Sequence, residues 1–184
     1  MIEIPKYTVG TYDPHGLCEN QRSDFTRRIP SLPPKQLARD SKIAAQIVRA
    51  YESGDTHQVL DIFFRKAKLL SNPRYWELMR TVWVAAGSTY TAHLFRVMMK
   101  SNRPCKSWFM TPEDAAALDA MQFPLTVYRA YDDDDDPGIS WTLDKEWCEG
   151  YAKSKGRRIK TMQVYRDKVF AYVSRRGEEE IIIL

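Results

Sequence analysis

The 184 residues are 43% hydrophobic and 28% charged, the balance of a globular chain rather than a disordered one. Lys and Arg number 28 against 24 Asp and Glu, and an excess of +4 is too small to argue a dedicated nucleic-acid binder. No apolar run reaches the ~18 residues of a membrane span, the opening residues lack the charged-then-apolar order of a secretory leader, and three scattered cysteines (Cys18, Cys105, Cys148) make no disulfide framework.

Residues 1–32 hold several turn formers and weak periodicity, so an extended arm is expected there. Pro33 and Pro34 then open a helical stretch. From Leu37 to Tyr51 the apolar residues Leu37, Ala44, Ala45, Val48 and Tyr51 share one helical face. Ser53-Gly54-Asp55 stops that helix. A second helix is expected over Thr56 to Leu70, with Val59, Phe63, Ala67 and Leu70 at helical spacing. Asn72-Pro73 starts a third, since proline's missing N–H costs nothing in the first turn. Trp76, Met79, Trp83 and Ala86 are expected to line it, and Gly87 to close it. A fourth helix covers roughly Thr89 to Lys100. A short fifth begins after Thr111, a good N-cap, with Glu113 and Asp114 placed to suit the helix dipole. The aromatics Tyr75, Trp76, Trp83 and Phe95 are read as core, because large rings dominate small cores by area alone.

After Met121 the pattern changes. Leu125 to Ala130 is β-branched and aromatic and reads as a strand. The run Asp132–Asp136 follows; five adjacent carboxylates repel one another and favour a solvated loop over a cation site. Ile139 to Thr142 is a short strand. Asp144 to Lys155 is helical, with Trp147, Cys148, Tyr151 and Ala152 on its apolar side and Gly156 as cap. Three more strands are expected at Ile159–Tyr165, Val169–Val173 and Glu180–Leu184. The fold class is therefore α+β: an arm over 1–32, a helical part over 33–121 and a small mixed β-rich part over 122–184, the last two packing as one compact unit.

Several chemistries find no support. His15, His57 and His93 form no HExxH and no His/Cys pair at zinc-ligand spacing. Neither GxxxxGK[ST] nor GxGxxG is present, which removes the P-loop and dinucleotide-fold readings but not other ways of binding a nucleotide. Lys153, Lys155, Arg157, Arg158 and Lys160 form a local basic cluster, for which a solvated helix end is the plainer explanation than a nucleic-acid contact.

Three short elements remain. Arg129 sits near the end of an apolar strand. Ser140-Trp141-Thr142 forms a strand directly before a helix. Glu178-Glu179-Glu180 runs into Ile181-Ile182-Ile183-Leu184. Singly, each has a dull explanation: a surface charge, a helix cap, a solvated turn. In this order and context, residues 120–184 resemble the ADP-ribosyltransferase fold of the arginine–serine–glutamate type. That fold has an Arg on its first core strand, a Ser-x-Ser/Thr element on the second and a Glu-x-Glu motif entering a later apolar strand. The stretch Gly138 to Asp144, followed by an aromatic-bearing helix, is similar to a subgroup of small bacterial and phage proteins. Only ten residues separate Arg129 from Ser140, fewer than in many members, and the final strand is short.

The resemblance implies a sheet of that type and an NAD-dependent transfer of ADP-ribose to a macromolecule with release of nicotinamide. It implies NAD as substrate and no metal. Glu180 would stabilise the charge developing on the ribose, as a fixed carboxylate does beside an oxocarbenium-like sugar. Arg129, with Ala130 beside it, would hold the diphosphate through the guanidinium's parallel donors. Ser140 would orient Glu180 or the ribose. Thr142 would support the strand or cap the following helix. Trp141 and Tyr151 would flank the nicotinamide, although core packing suits Tyr151 better. Glu178 would activate the acceptor, and a Glu at that place implies an arginine of a protein. An NAD glycohydrolase is the alternative among enzymes, and an inactive partner-binding module the alternative outside them. Nucleic acid is the less favoured acceptor, and no membrane partner is expected. The expected location is a reducing cytoplasm, the host's for a phage protein.

Overall fold

Apolar residues at three- and four-residue spacing build the helical half, and a computed structural model describes residues 32–86, 92–132, 138–175 and 178–184. Helix α1 (Pro34–Glu52) starts with a proline and buries Ile43, Ala44, Ile47 and Val48. Gly54, at φ +74°, turns the chain, and Asp55 caps α2 (Thr56–Lys66) by accepting from the Gln58 N–H at 2.9 Å. The expected end at Leu70 shortens, because Ala67–Leu69 tightens into a 3₁₀ turn. Arg103 satisfies the carbonyls left there, donating to Ala67 at 3.0 Å and Leu70 at 3.1 Å.

Helix α3 (Asn72–Ala86) starts where Asn72-Pro73 predicts. Its core stripe is Trp76, Met79, Val82 and Ala86; Trp83 is half-buried. Positions 82 and 83 lie three and four residues past Met79, so spacing alone does not choose between them. Trp76 is fully buried and donates Nε1–H to the Pro104 carbonyl at 2.8 Å, which meets the polar need of its ring. Tyr75 and Phe95 are buried as well, as their size implies.

Helix α4 (Ala92–Met99) buries Phe95 and Met99, and α5 (Pro112–Ala120) follows a 3₁₀ turn at Lys106–Phe109. Asp114 does more than face the start of α5. It is 1% exposed and accepts from both the N–H and the Oγ of Ser174, at 3.1 and 2.6 Å. A buried carboxylate needs such donors.

Among the described residues, five strands follow: β1 (Leu125–Tyr131), β2 (Ser140–Thr142), β3 (Arg158–Val164), β4 (Val169–Arg175) and β5 (Glu178–Ile183). Helix α6 (Lys145–Lys155) stands between β2 and β3. The sheet order is β3-β1-β2-β5-β4. The class is α+β, helices first and sheet last, as the composition shift implies. The sheet is not mixed: every pairing is antiparallel. The α-helix between β2 and β3, α6, returns the chain beside β1, not beside β2 where a parallel crossover would leave it.

Contacts group the chain into two units. Among the described residues, one holds 32–86 with Arg103–Pro112; the other holds 92–102 with the described residues from Glu113 onward. The helices α4 and α5, expected with the helical part, thus group with the sheet. The arm up to residue 31, the stop at Gly87, the helix start at Thr89 and the acidic run beyond Asp132 lie outside the described residues. No described helix is long and apolar enough to cross a membrane.

Candidate functional site

The register of the three central strands decides which side chains meet. Tyr128 of β1 lies opposite Thr142 of β2, and Thr142 lies opposite Glu180 of β5. Directly opposed residues share a face, so these three form one row across the sheet. Ser140, two residues from Thr142, shares the face and reaches diagonally: its Oγ–H donates to Glu180 Oε1 in a short hydrogen bond. Glu180 is 6% exposed, so the motif Glu178-Glu179-Glu180 is no solvated turn. Nor does it merely enter the strand: β5 begins at Glu178. Glu178 opens β5, and its side chain lies outside the described residues.

Arg129 is adjacent to Tyr128 and so leaves β1 on the opposite face. Its guanidinium nevertheless turns to the start of β2, where Nη1–H donates to the Ser140 carbonyl at 2.9 Å. Ser140 therefore touches both partners, Glu180 through its hydroxyl and Arg129 through its backbone. Gly138 makes this possible. It has φ +66°, and a Cβ built on it would stand 2.4 Å from Arg129 Cζ. The guanidinium fills the space that a side chain would take. Sequence reasoning missed Gly138, though a glycine two residues before the serine was visible. It also missed Arg96 of α4, whose Nη2 donates to the Gly138 carbonyl at 3.4 Å.

Thr142 is not the cap of α6. Asp144 is, accepting from the Trp147 N–H at 2.9 Å, while Thr142 Oγ1 accepts from the Asp144 N–H at 3.0 Å. The threonine thus fixes the capping residue, and through it the start of α6. Gly156 ends that helix at φ +65°, as expected.

Trp141 does not offer a stacking surface. It lies opposite Ile181, on the face away from Ser140, and is 4% exposed. Ala130 is packed under α6 against Cys148 and Ala152, with Tyr128 and Tyr151 alongside. On α6 the open ring is Trp147, expected on the apolar side but 42% exposed. It stacks on Tyr151, with ring centroids 5.3 Å apart and planes 5° from parallel. The helix turns its small residues, Cys148 and Ala152, to the sheet, and this rotation carries Trp147 outward. In the basic cluster, Arg157 pairs with Asp132 at 2.9 Å and Arg158 lies over the Tyr131 ring at 5.0 Å.

Burial pushes the Cys148 thiol up, with Glu149 adding to it. Burial likewise raises Tyr172, helped by the charge of Glu179, and raises Tyr75. All three are held neutral in the fold, whereas the unfolded chain releases their protons at ordinary values. Their contribution to stability is therefore full at neutral pH and lost as pH rises. Denaturant midpoints should be level from pH 6 to 8, then fall above about pH 8.5 as unfolded thiols ionise, and further above about pH 10 with the tyrosines. Cys148→Ala should remove the first part of the fall. An identical fall in that variant would exclude the thiol.

No protein-family model matches the chain, and no curated protein or solved structure is detectably similar to it.

Proposed function

We propose that the chain is an NAD-dependent mono-ADP-ribosyltransferase of the arginine–serine–glutamate type, acting on a macromolecular acceptor, an arginine of a protein. The observation that carries this reading is Ser140, bonded to Glu180 through its hydroxyl and to Arg129 through its carbonyl. Three residue types singled out by order in the sequence lie on neighbouring strands and are joined by one serine.

The chemistry follows from these groups. Arg129 binds the diphosphate of NAD with parallel donors. Glu180 lies beside the ribose and stabilises the positive charge that develops at its anomeric carbon. Ser140 holds that carboxylate in one orientation, so little reorganisation is needed at the transition state. The bond from the anomeric carbon to the nicotinamide nitrogen breaks, and its electron pair leaves with neutral nicotinamide. A nitrogen lone pair of the acceptor forms the new bond, and Glu178 takes the acceptor's proton. A guanidinium is otherwise a poor nucleophile, since it stays protonated in water.

The test is incubation with NAD labelled in the adenylate, in the presence of cell lysate, scoring both nicotinamide release and label transfer. Wild type should show both. Glu178→Gln should lose transfer by about 10²-fold or more, the usual worth of a positioned base, while hydrolysis falls less. Release without transfer, unchanged by Glu178→Gln, would make the protein a glycohydrolase. Silence in both assays across lysates from several sources would overturn the enzyme reading.

A further inference from the structure

Helix α6 turns its small residues to the sheet and an aromatic pair outward. Trp147 is 42% exposed and lies parallel to the Tyr151 ring, with centroids 5.3 Å apart. Tyr151 covers one face of the indole, and among the described residues no cation or second ring meets Trp147. At about 3.6 residues per turn, Gly150 and Glu146 lie about 60° and 100° round from Trp147, on the side away from the buried Cys148 and Ala152. Gly150 is exposed, has no left-handed φ, and a Cβ there would meet nothing within 4 Å among the described residues. Glycine inside a helix costs stability against alanine, and neither backbone nor packing among the described residues calls for it here. What the absent side chain does is keep the flank of the two rings bare. Glu146, on the same flank, is exposed and takes part in no ion pair among the described residues, whereas Glu149 is held by Lys145 at 3.4 Å.

We infer that Trp147, Tyr151, Gly150 and Glu146 form the docking surface for an arginine-bearing segment of the protein acceptor, a guanidinium lying on the open flank of the stack and pairing with Glu146. The identity of that partner rests on the proposed function. Aromatic faces attract cations, and a guanidinium is planar, weakly hydrated and able to stack. The pair already draws one from its own chain: Arg157 lies over the Tyr151 ring at 5.9 Å. Charge selects the end of the helix. Asp144, Glu146 and Glu149 stand against Lys145 around Trp147, while Lys153, Lys155 and Arg157 gather at the other end. A cation is thus favoured at Trp147 and a phosphate-bearing ligand is not. The position fits as well. Tyr128 stands in the row with Thr142 and Glu180, and it packs with Tyr151 against Ala130, Cys148 and Ala152. Helix α6 therefore lies over the sheet face that carries Glu180, two strand spacings away, about 10 Å. A segment that brings one arginine to Glu180 has α6 as its neighbour, and a second arginine of that segment reaches Trp147.

The probe is a capped pentapeptide with one arginine between glycines, titrated in the absence of NAD. Binding is read on the indole N–H resonance of Trp147, which Trp147→Phe identifies by its loss. A citrulline peptide, equal in size and uncharged, is the comparison, and AMP is a third ligand. The arginine peptide should shift the resonance, and the citrulline peptide should bind about 3–10-fold more weakly, the worth of a cation–π contact. Glu146→Gln should weaken the arginine peptide by about 2–5-fold, as for an exposed ion pair. Gly150→Ala should raise the melting temperature and yet weaken the peptide by about threefold or more, a combination that a glycine serving only the fold does not give. Equal binding of the arginine and citrulline peptides would overturn the inference, and so would a Gly150→Ala variant that binds as wild type does. AMP moving the resonance where the arginine peptide does not would also overturn it and make the stack a platform for a base. Nicotinamide release from NAD by the same wild-type sample keeps the two readings apart. Release with no response of Trp147 sinks this inference alone. A charge-dependent response with no release upholds the docking of arginine and sinks the transferase.

Discussion

Glu180→Gln should lower nicotinamide release from NAD by about 10³-fold, equivalent to about 4 kcal/mol of transition-state stabilisation. The substitution removes a charge and keeps the shape. Glu180 is buried at the register position opposite Thr142 on one side and Val173 on the other. A glutamine fits the same volume, and the Ser140 hydroxyl can donate to its amide oxygen as it does to the carboxylate. Binding of NAD should therefore persist, and the melting temperature should stay within a few degrees. A loss of rate with retained binding is the signature of an interaction made in the transition state. A rate within about threefold of wild type would show that the carboxylate does not face the reacting carbon.

The second large effect is expected at Gly138→Ala, a residue with no reactive group. Two costs combine there. A left-handed φ of +66° strains any residue with a Cβ, by roughly 1–2 kcal/mol. The new methyl would also meet the Arg129 guanidinium at 2.4 Å. Backbone cannot yield readily, so the flexible side chain must leave, and with it the donor to Ser140. A displacement of about 1 Å in a positioning group is enough to cost about 10²-fold in rate. Gly156→Ala provides the control. Gly156 has nearly the same φ, +65°, but a methyl placed there would meet nothing within 4 Å. That variant should show the strain in stability and keep its activity. Equal activities in the two alanine variants would mean that the place of Arg129 does not matter.

The parts of the fold set by local chemistry were legible in the sequence. Proline at the starts of α1 and α3 and glycines at positions 54 and 156 all act within a few residues of themselves, whereas the choice of Asp144 over Thr142 as the cap of α6 was not legible. The strands of the sheet were legible by β-branched content, and Arg129, Ser140 and Glu180 lie on three of them, as their order implies. What failed to show were properties that exist only after packing. The rotation of α6, which buries Cys148 and exposes Trp147, depends on which stripe of an aromatic-rich helix meets β1. The burial of Trp141 depends on the face that β2 turns to Ile181. Arg96 lies 42 residues from Gly138 on a helix that buries Phe95 and Met99. An arginine there looks like any solvated charge until α4 is docked. At Gly138 the left-handed φ and the guanidinium beside it together explain why no other residue suits, and neither exists before the chain is folded.

The proposed function puts NAD along β1, β2 and β5, with its diphosphate at Arg129 and its ribose at Glu180. A crystal structure of Glu180→Gln with NAD tests this most directly, because the variant should bind the dinucleotide without consuming it. Intact NAD is expected, with phosphate oxygens on the Arg129 guanidinium and the nicotinamide ribose within hydrogen-bond reach of the side chain at position 180. NAD bound elsewhere, or its diphosphate turned away from Arg129 with the ribose remote from position 180, would refute the proposed site.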